Sequence, residues 1–296
     1  MPLCTLHLLA LDHTTPNPFS LFLFTLKALH VSPLIISRVI RWIILPSKLS
    51  TEHLLGRNIH WDILLILPDT SPLPQDLQKL VQHHWSVTAG VPSRLIQDFP
   101  SKNNALLHPD PSSVPKLSEK TCKKTTESSQ SLELSDELDA WIETFVKGSG
   151  KEARGAVSMF NLLAFNPGMK SEYLKYGAAF AKSIGSKHGG NAKIVGNATH
   201  VNGSTVSESN SRAAENGVDS KGDIGTRKDN WDEIALAHYP SILHFRDMLA
   251  SEEYQVVNKR YRVPSLRDTC ILMTSEIAVE GLLGDERGKT EGGAKL

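Results

Sequence analysis

The polar residues that interrupt apolar runs in the second half of this 296-residue sequence are the ones that could do chemistry. Asn161 breaks the run 159–165, and His238 with Tyr239 closes the run 234–239. Arg262, Arg267 and Asp268 flank a last apolar run at 269–274. Gathered in one cavity, a neutral His238 would act as a base, Tyr239 or Asn161 would bind an oxyanion, and an arginine would hold a carboxylate. His238 and Asn161 are therefore the candidate catalytic residues, and Tyr239, Arg262, Arg267 and Asp268 the candidate substrate-binding residues. Strand alternation puts His238 and Tyr239 on opposite faces, so only one of them can point into any cavity. The same set has a plain structural reading, with Arg267 and Asp268 in ion pairs and His238 a hydrogen-bonded core histidine.

Other chemistries find less support. His83 and His84 are neighbours and point to different sides, His238 and His244 fall in different elements, and no Asp/Glu/His triplet has ligand spacing. Gly148-Ser149-Gly150-Lys151 lacks the Walker spacing, and no nucleophile elbow or pair of catalytic carboxylates occurs. No metal or nucleotide cofactor is expected. Lys+Arg 32 balance Asp+Glu 32, so no global field recruits nucleic acid or an anionic membrane. Cys4, Cys122 and Cys270 are scattered, which fits a reducing compartment and makes the sequons at Asn197 and Asn202 chance matches. Lys27, His30, Arg38 and Arg41 break the N-terminal apolar runs short of the roughly 20 residues a membrane span needs. No basic region precedes those runs, as a signal peptide would require.

The elements that must position these residues follow from periodicity. Strands are expected at 3–11, 33–45 and 59–68, helices at 16–29 and 73–87, and a helical turn at 50–55. Apolar periodicity disappears between 101 and 130, where Pro, Ser, Lys and Thr dominate. A helix bearing Leu138, Trp141, Ile142 and Phe145 then starts at Ser135 as N-cap. Strands at 156–165, 192–201, 231–239 and 269–274 alternate with helices at 169–187 and from 242 onwards. Tyr173, Tyr176, Phe180 and Ile184 share one side of the helix 169–187. Val263-Pro264-Ser265 is expected to stop the last helix, since a residue before proline avoids helical geometry. The polar, Gly/Ser-rich stretch 202–228 reads as a disordered insertion.

Element order and short matches suggest a duplication. Leu8-Leu9-Ala10 recurs at Leu162-Leu163-Ala164, Trp61-Asp62 at Trp231-Asp232, and Val91-Pro92-Ser93 at Val263-Pro264-Ser265. A lone ferredoxin-like sheet leaves one face bare, and two such sheets can cover each other. The expected fold is α+β: two ferredoxin-like βαββα(β) repeats packed sheet to sheet as a pseudo-dimeric α/β barrel. The first repeat spans 1–100, a disordered linker 101–134, the second repeat 135–278, and a flexible tail 279–296.

Ser251-Glu252-Glu253-Tyr254-Gln255 followed by Arg260 and a final apolar strand resembles the Ser-Pro-Glu-Tyr-Gln…Arg signature of the DUF1330 family. That family belongs to the dimeric α/β-barrel superfamily. The second half, about 155–277, carries the resemblance, including Gly189-Gly190 before its second strand. Glu252 stands where the family has proline, and the first half lacks the pattern. The resemblance implies the fold. It leaves function open, because the superfamily mixes monooxygenases, cyclases, isomerases, degradation enzymes and non-catalytic members.

Two readings of function follow. One is a cofactor-independent enzyme acting on a small apolar, carbonyl-containing metabolite, favoured by a cavity with His238 and Asn161 facing inward. The other is a non-catalytic small-ligand-binding or protein-interaction module, favoured by a barrel packed solid with Leu and Ile. The sequence closes on Ala294-Lys295-Leu296, which resembles the Ser-Lys-Leu address read by the peroxisomal import receptor. The expected location is peroxisomal, with the cytoplasm as the alternative.

Overall fold

The computed structural model describes residues 1–55, 59–118, 125–206 and 231–282. The fold is mixed α+β, a large antiparallel sheet with helices packed against it. In the first half β1 (Leu3–Leu11), α1 (Pro18–Ala28), β2 (Ile35–Ile44) and β3 (Ile63–Leu67) follow in turn. They lead to α2 (Gln75–Gln78), β4 (Val81–Gly90), α3 (Ser93–Ile96) and α4 (Phe99–Leu107). The second half runs through α5 (Asp136–Phe145), β5 (Val157–Phe165) and α6 (Lys170–Ala179). A π turn (Phe180–Ile184) and α7 (Gly185–Lys187) extend α6. Then come β6 (Asn191–Val201), β7 (Ser204–Thr205), β8 (Glu233–Tyr239), α8 (Ile242–Ala250), α9 (Glu252–Val257) and β9 (Leu266–Ser275). Among the described residues no helix is long and apolar enough to cross a membrane.

The strand order is β4-β1-β3-β2-β9-β5-β8-β6-β7, and β4 also pairs with β6 through Val87↔Val201 and Thr88↔His200. Eight strands therefore close on themselves, which satisfies the backbone groups that sheet edges would expose. Period-two alternation divides each strand between two apolar environments. Leu6, Leu8, Leu64, Ile66, Trp85, Val87, Phe160, Leu162, Ile234, Leu236 and Leu272 meet inside the ring. Leu9, Leu11, Ile63 and Leu65 pack outward under Phe22 and Leu26 of α1 and Leu77 of α2. Met159, Tyr239, Ile271 and Met273 pack outward under Ile142 of α5 and Phe245, Met248 and Leu249 of α8.

Trp61-Asp62 and Trp231-Asp232 do the same work in the two halves. Asp62 N–H donates to the Leu9 carbonyl and its carboxylate accepts from Leu11 N–H, each at 2.8 and 2.7 Å respectively. Asp232 N–H donates to the Leu163 carbonyl at 2.8 Å and its carboxylate accepts from Phe165 N–H at 2.7 Å. Both indoles are buried in the ring interior. Val91-Pro92-Ser93 and Val263-Pro264-Ser265 are not equivalent, because the first follows β4 and the second precedes β9.

Five expectations need correction. The helix expected at 73–87 is only Gln75–Gln78, and Val81–Gly90 is strand β4. Leu77, Leu80 and Val81 mimic helical spacing, but Trp85, Val87 and Ala89 alternate inward while His84, Ser86 and Thr88 face out. The presumed linker 101–134 takes in most of α4, whose first residue Phe99 is buried against the ring interior, and a 3-10 turn (Pro111–Ser113). Val263 keeps helical geometry (φ −56°, ψ −51°), and the helical turn runs on to Ser265. Pro264 opens that turn after the π turn Asn258–Arg262, a position where its missing N–H is not needed. Within the presumed insertion, Ser204–Thr205 pair with β6, and 207–230 lie outside the described residues. The tail expected from 279 starts inside a helical stretch at 277–282 in which Ile277, Ala278 and Val279 are buried, and Ala294-Lys295-Leu296 lie outside the described residues.

Candidate pocket between helix α6 and the second-half strands

A pocket of about 450 Å³ opens on the outer face of β5, β8 and β6, beneath α6 and its π turn. Small side chains create it. Ala235 and Ala237 of β8 and Ala192 of β6 form the floor, Gly177 adds no side chain, and Gly190 lets Phe180 and Tyr239 approach closely. At Gly190 a Cβ would come within 2.8 Å of the Phe180 ring and 3.0 Å of Tyr239, so only glycine fits there. Met159, Ile271, Phe180 and Phe245 supply apolar walls.

Glu233, Asn161, Tyr173 and Tyr176 are among the polar residues that line this bowl. Glu233 is 7% exposed, and its Oε2 lies 3.5 Å from Lys170 Nζ. Burial pushes the Glu233 carboxyl above its ordinary value, the Lys170 ammonium pulls it part of the way back, and Asp232 adds to the rise. Asn161 donates from Nδ2 to the Met159 carbonyl at 2.9 Å and to Ala235 at 3.5 Å, which leaves Oδ1 without a protein partner among the described residues. Burial raises the Tyr173 hydroxyl, Tyr176 and the Glu233 charge add to that, and the Arg262 guanidinium opposes it by charge and hydrogen bond. Tyr173 is therefore a neutral hydroxyl at any physiological pH.

Arg262 is buried in the next layer, among Tyr173, Tyr176, Tyr239 and Tyr254. It donates to Thr269 Oγ1 at 3.4 Å and forms no ion pair among the described residues. Tyr254, from the Ser251–Gln255 segment, sits 3.3 Å hydroxyl to hydroxyl from Tyr176. Tyr239 donates to Met248 Sδ at 3.2 Å while its ring lines the pocket.

The structure brings Asn161 and Tyr239 together and separates His238 from both. Asn161 pairs with Ala235 across β5 and β8, and His238, an odd number of residues further on, points to the opposite face. There His238 pairs with Ser158 and Asn191 across the neighbouring strands, and its Nδ1 has no partner among the described residues. Burial, then the Lys193 ammonium, lower its pKa to about 3, against a smaller upward pull from a hydrogen bond to the Leu106 backbone. Lys193 itself is buried, paired with Glu276 and donating to Asn103 Oδ1 at 2.9 Å. His238 and Asn161 thus share no cavity.

Asp268 does not face the pocket either. Its carboxylate accepts N–H bonds from Ser47, Lys48 and Leu49 at 3.1, 2.8 and 2.8 Å and a hydroxyl bond from Ser47 at 3.0 Å. It anchors the chain leaving β2. Arg267 is half-buried at the start of β9 and is not among the pocket's lining residues. Sequence reasoning missed Glu233 and Tyr173. Their signals were an acid opening a buried strand, and an aromatic stripe along 169–187 that reads as ordinary core.

No family model and no curated protein matches this sequence, so the likeness to DUF1330 proteins stays a resemblance. Among solved structures, a protein of unknown function from Rhodopseudomonas palustris is 18% identical, with a TM-score of 0.32, over 47% of this chain and 91% of its own. Its methylated form is 19% identical, with the same TM-score, over 47% and 89%. A "putative monooxygenase" from Lactobacillus acidophilus NCFM is 5% identical, with a TM-score of 0.39, over 93% of this chain and 94% of its own.

Proposed function

We propose that the chain is a duplicated, single-chain form of a dimeric α/β barrel that binds a small, largely apolar molecule in the pocket under α6. The duplication is supported by the strand order, fourth-first-third-second in each half, and by the matching Trp-Asp bonds. The binding reading rests on one contrast between the halves. Phe22, Leu26 and Leu77 fill the outer face of the first-half strands, whereas Ala192, Ala235 and Ala237 leave about 450 Å³ open on the second. An apolar bowl with a few convergent polar groups is the usual form of a small-molecule site. We favour a cofactor-independent enzyme acting on a carbonyl-containing molecule, with Asn161 and Tyr239 at the site and Arg262 behind it. His238, facing away, has no part in this chemistry.

The packed ring interior favours the second reading, a non-catalytic binding module. Both readings need the pocket to be occupied. Organic extracts of the protein purified from its own cells, compared by mass spectrometry with those of Ala235→Leu, test this directly. The expected result is an enriched apolar compound that the filled pocket no longer retains. Equal extracts from two equally stable proteins refute the site.

A further inference from the structure

We propose that Glu233 and Tyr173 form a proton-transfer pair: Glu233 removes a proton from the carbon beside a ligand carbonyl, and Tyr173 donates a hydrogen bond to the resulting enolate oxygen. This inference rests on the pocket reading above. It is carried by geometry, since both residues line one apolar bowl and Lys170 stands 3.5 Å from the Glu233 carboxylate. Lys170 on α6 takes Glu233 Oε2, and Oε1 has no partner among the described residues. Burial raises the Tyr173 hydroxyl and holds it neutral, with the Arg262 charge nearby opposing that rise, so it keeps a proton to donate. A carboxylate whose surroundings favour its neutral form is also a better base than one in water.

The step balances without any co-reactant. The C–H bond breaks, its electron pair becomes the enolate carbon–carbon π bond, and the carbonyl π pair moves onto oxygen opposite Tyr173. The proton resides on Glu233. Returned to the same carbon after exchange with solvent it swaps the hydrogen, and returned to a conjugated carbon on the same face it moves a double bond. No atom is oxidised overall. The substrate class is therefore a small apolar ketone or enone with an acidic C–H bond, and Asn161 Oδ1 is the acceptor left for a hydroxyl or N–H elsewhere on it.

The probes are 2-tetralone, a compact ketone with acidic C–H bonds, and 2-naphthol, which mimics its enol. In D₂O, wild-type protein is expected to speed hydrogen–deuterium exchange at the activated carbon of 2-tetralone, read by proton NMR. Glu233→Gln should lose on the order of 100-fold of that acceleration, and Tyr173→Phe roughly tenfold. Both should still bind 2-naphthol through the apolar walls, more weakly than wild type because each removes one polar contact to its oxygen, as followed by its fluorescence. Exchange undiminished in Glu233→Gln overturns the proposal, as does a wild-type protein that binds 2-naphthol and accelerates nothing. Tyr173→Phe carries the test independently if Glu233→Gln does not fold, and unchanged exchange in it overturns the paired role. Failure of wild type to bind 2-naphthol overturns the pocket reading and this inference together.

Discussion

Replacing His238 by Gln should halve the loss of stability between pH 7.5 and 5. His238 is 2% exposed, and its folded pKa is about 3 against 6.5 unfolded. The folded protein therefore holds it neutral, while the unfolded chain binds a proton as pH falls below 6.5. Stability is complete above 6.5 and is lost progressively as pH drops towards 3. Each pH unit in that window costs about 1.4 kcal/mol, so His238 alone accounts for roughly 2 kcal/mol between pH 7.5 and 5. His7 is 3% exposed and also lowered to about 3, by burial first and then by His84. The two histidines together should cost the wild type about 4 kcal/mol over that interval. Urea denaturation at the two pH values measures it. His238→Gln should lose only about 2 kcal/mol, the His7 share. A variant with the wild-type slope would show that His238 is protonated in the folded state and reachable by solvent, which would reopen its candidacy as a base.

Three further outcomes follow from buried charges. Asp268→Ala should cost roughly 3 kcal/mol or more in urea denaturation, because Ser47, Lys48 and Leu49 lose their acceptor, and Asp268→Asn should cost less. Equal stability of Asp268→Ala and wild type would refute the anchoring role. Lys193→Met should cost about 3–5 kcal/mol by leaving Glu276 buried and unpaired, and adding Glu276→Leu should recover most of it. A double variant no better than the single one would show that the pair itself is not the cause. The folded Glu233 carboxyl lies above its unfolded value, so its neutral form is favoured and stability is lost as pH rises through that window. Thermal melts of Glu233→Gln should accordingly show a gain over wild type at pH 8 that vanishes near pH 4, and a loss at pH 8 would contradict the burial argument.

The sequence by itself determined the mixed α+β class, most of the strands, and local devices such as the Ser135 cap, whose hydroxyl accepts from Leu138 N–H at 3.2 Å. These are legible because alternation, helical spacing and capping depend on neighbours only a few residues away. Strand β4 was not legible, since Leu77 to Val81 carry a helical spacing and only pairing with β1 and β6 decides for a strand. The candidate site was half legible. Alternation correctly made Tyr239 and His238 mutually exclusive, yet both faces of β8 are buried and nothing local distinguishes them. The choice falls to the layer above: α6 stands off over Ala235 and Ala237, while the other face packs into the ring. Glu233 and Tyr173 come from elements distant in sequence, and their meeting depends on the strand order. Tertiary structure alone decides such a site, because its polarity and its empty space arise from packing between elements rather than from the preference of any one of them.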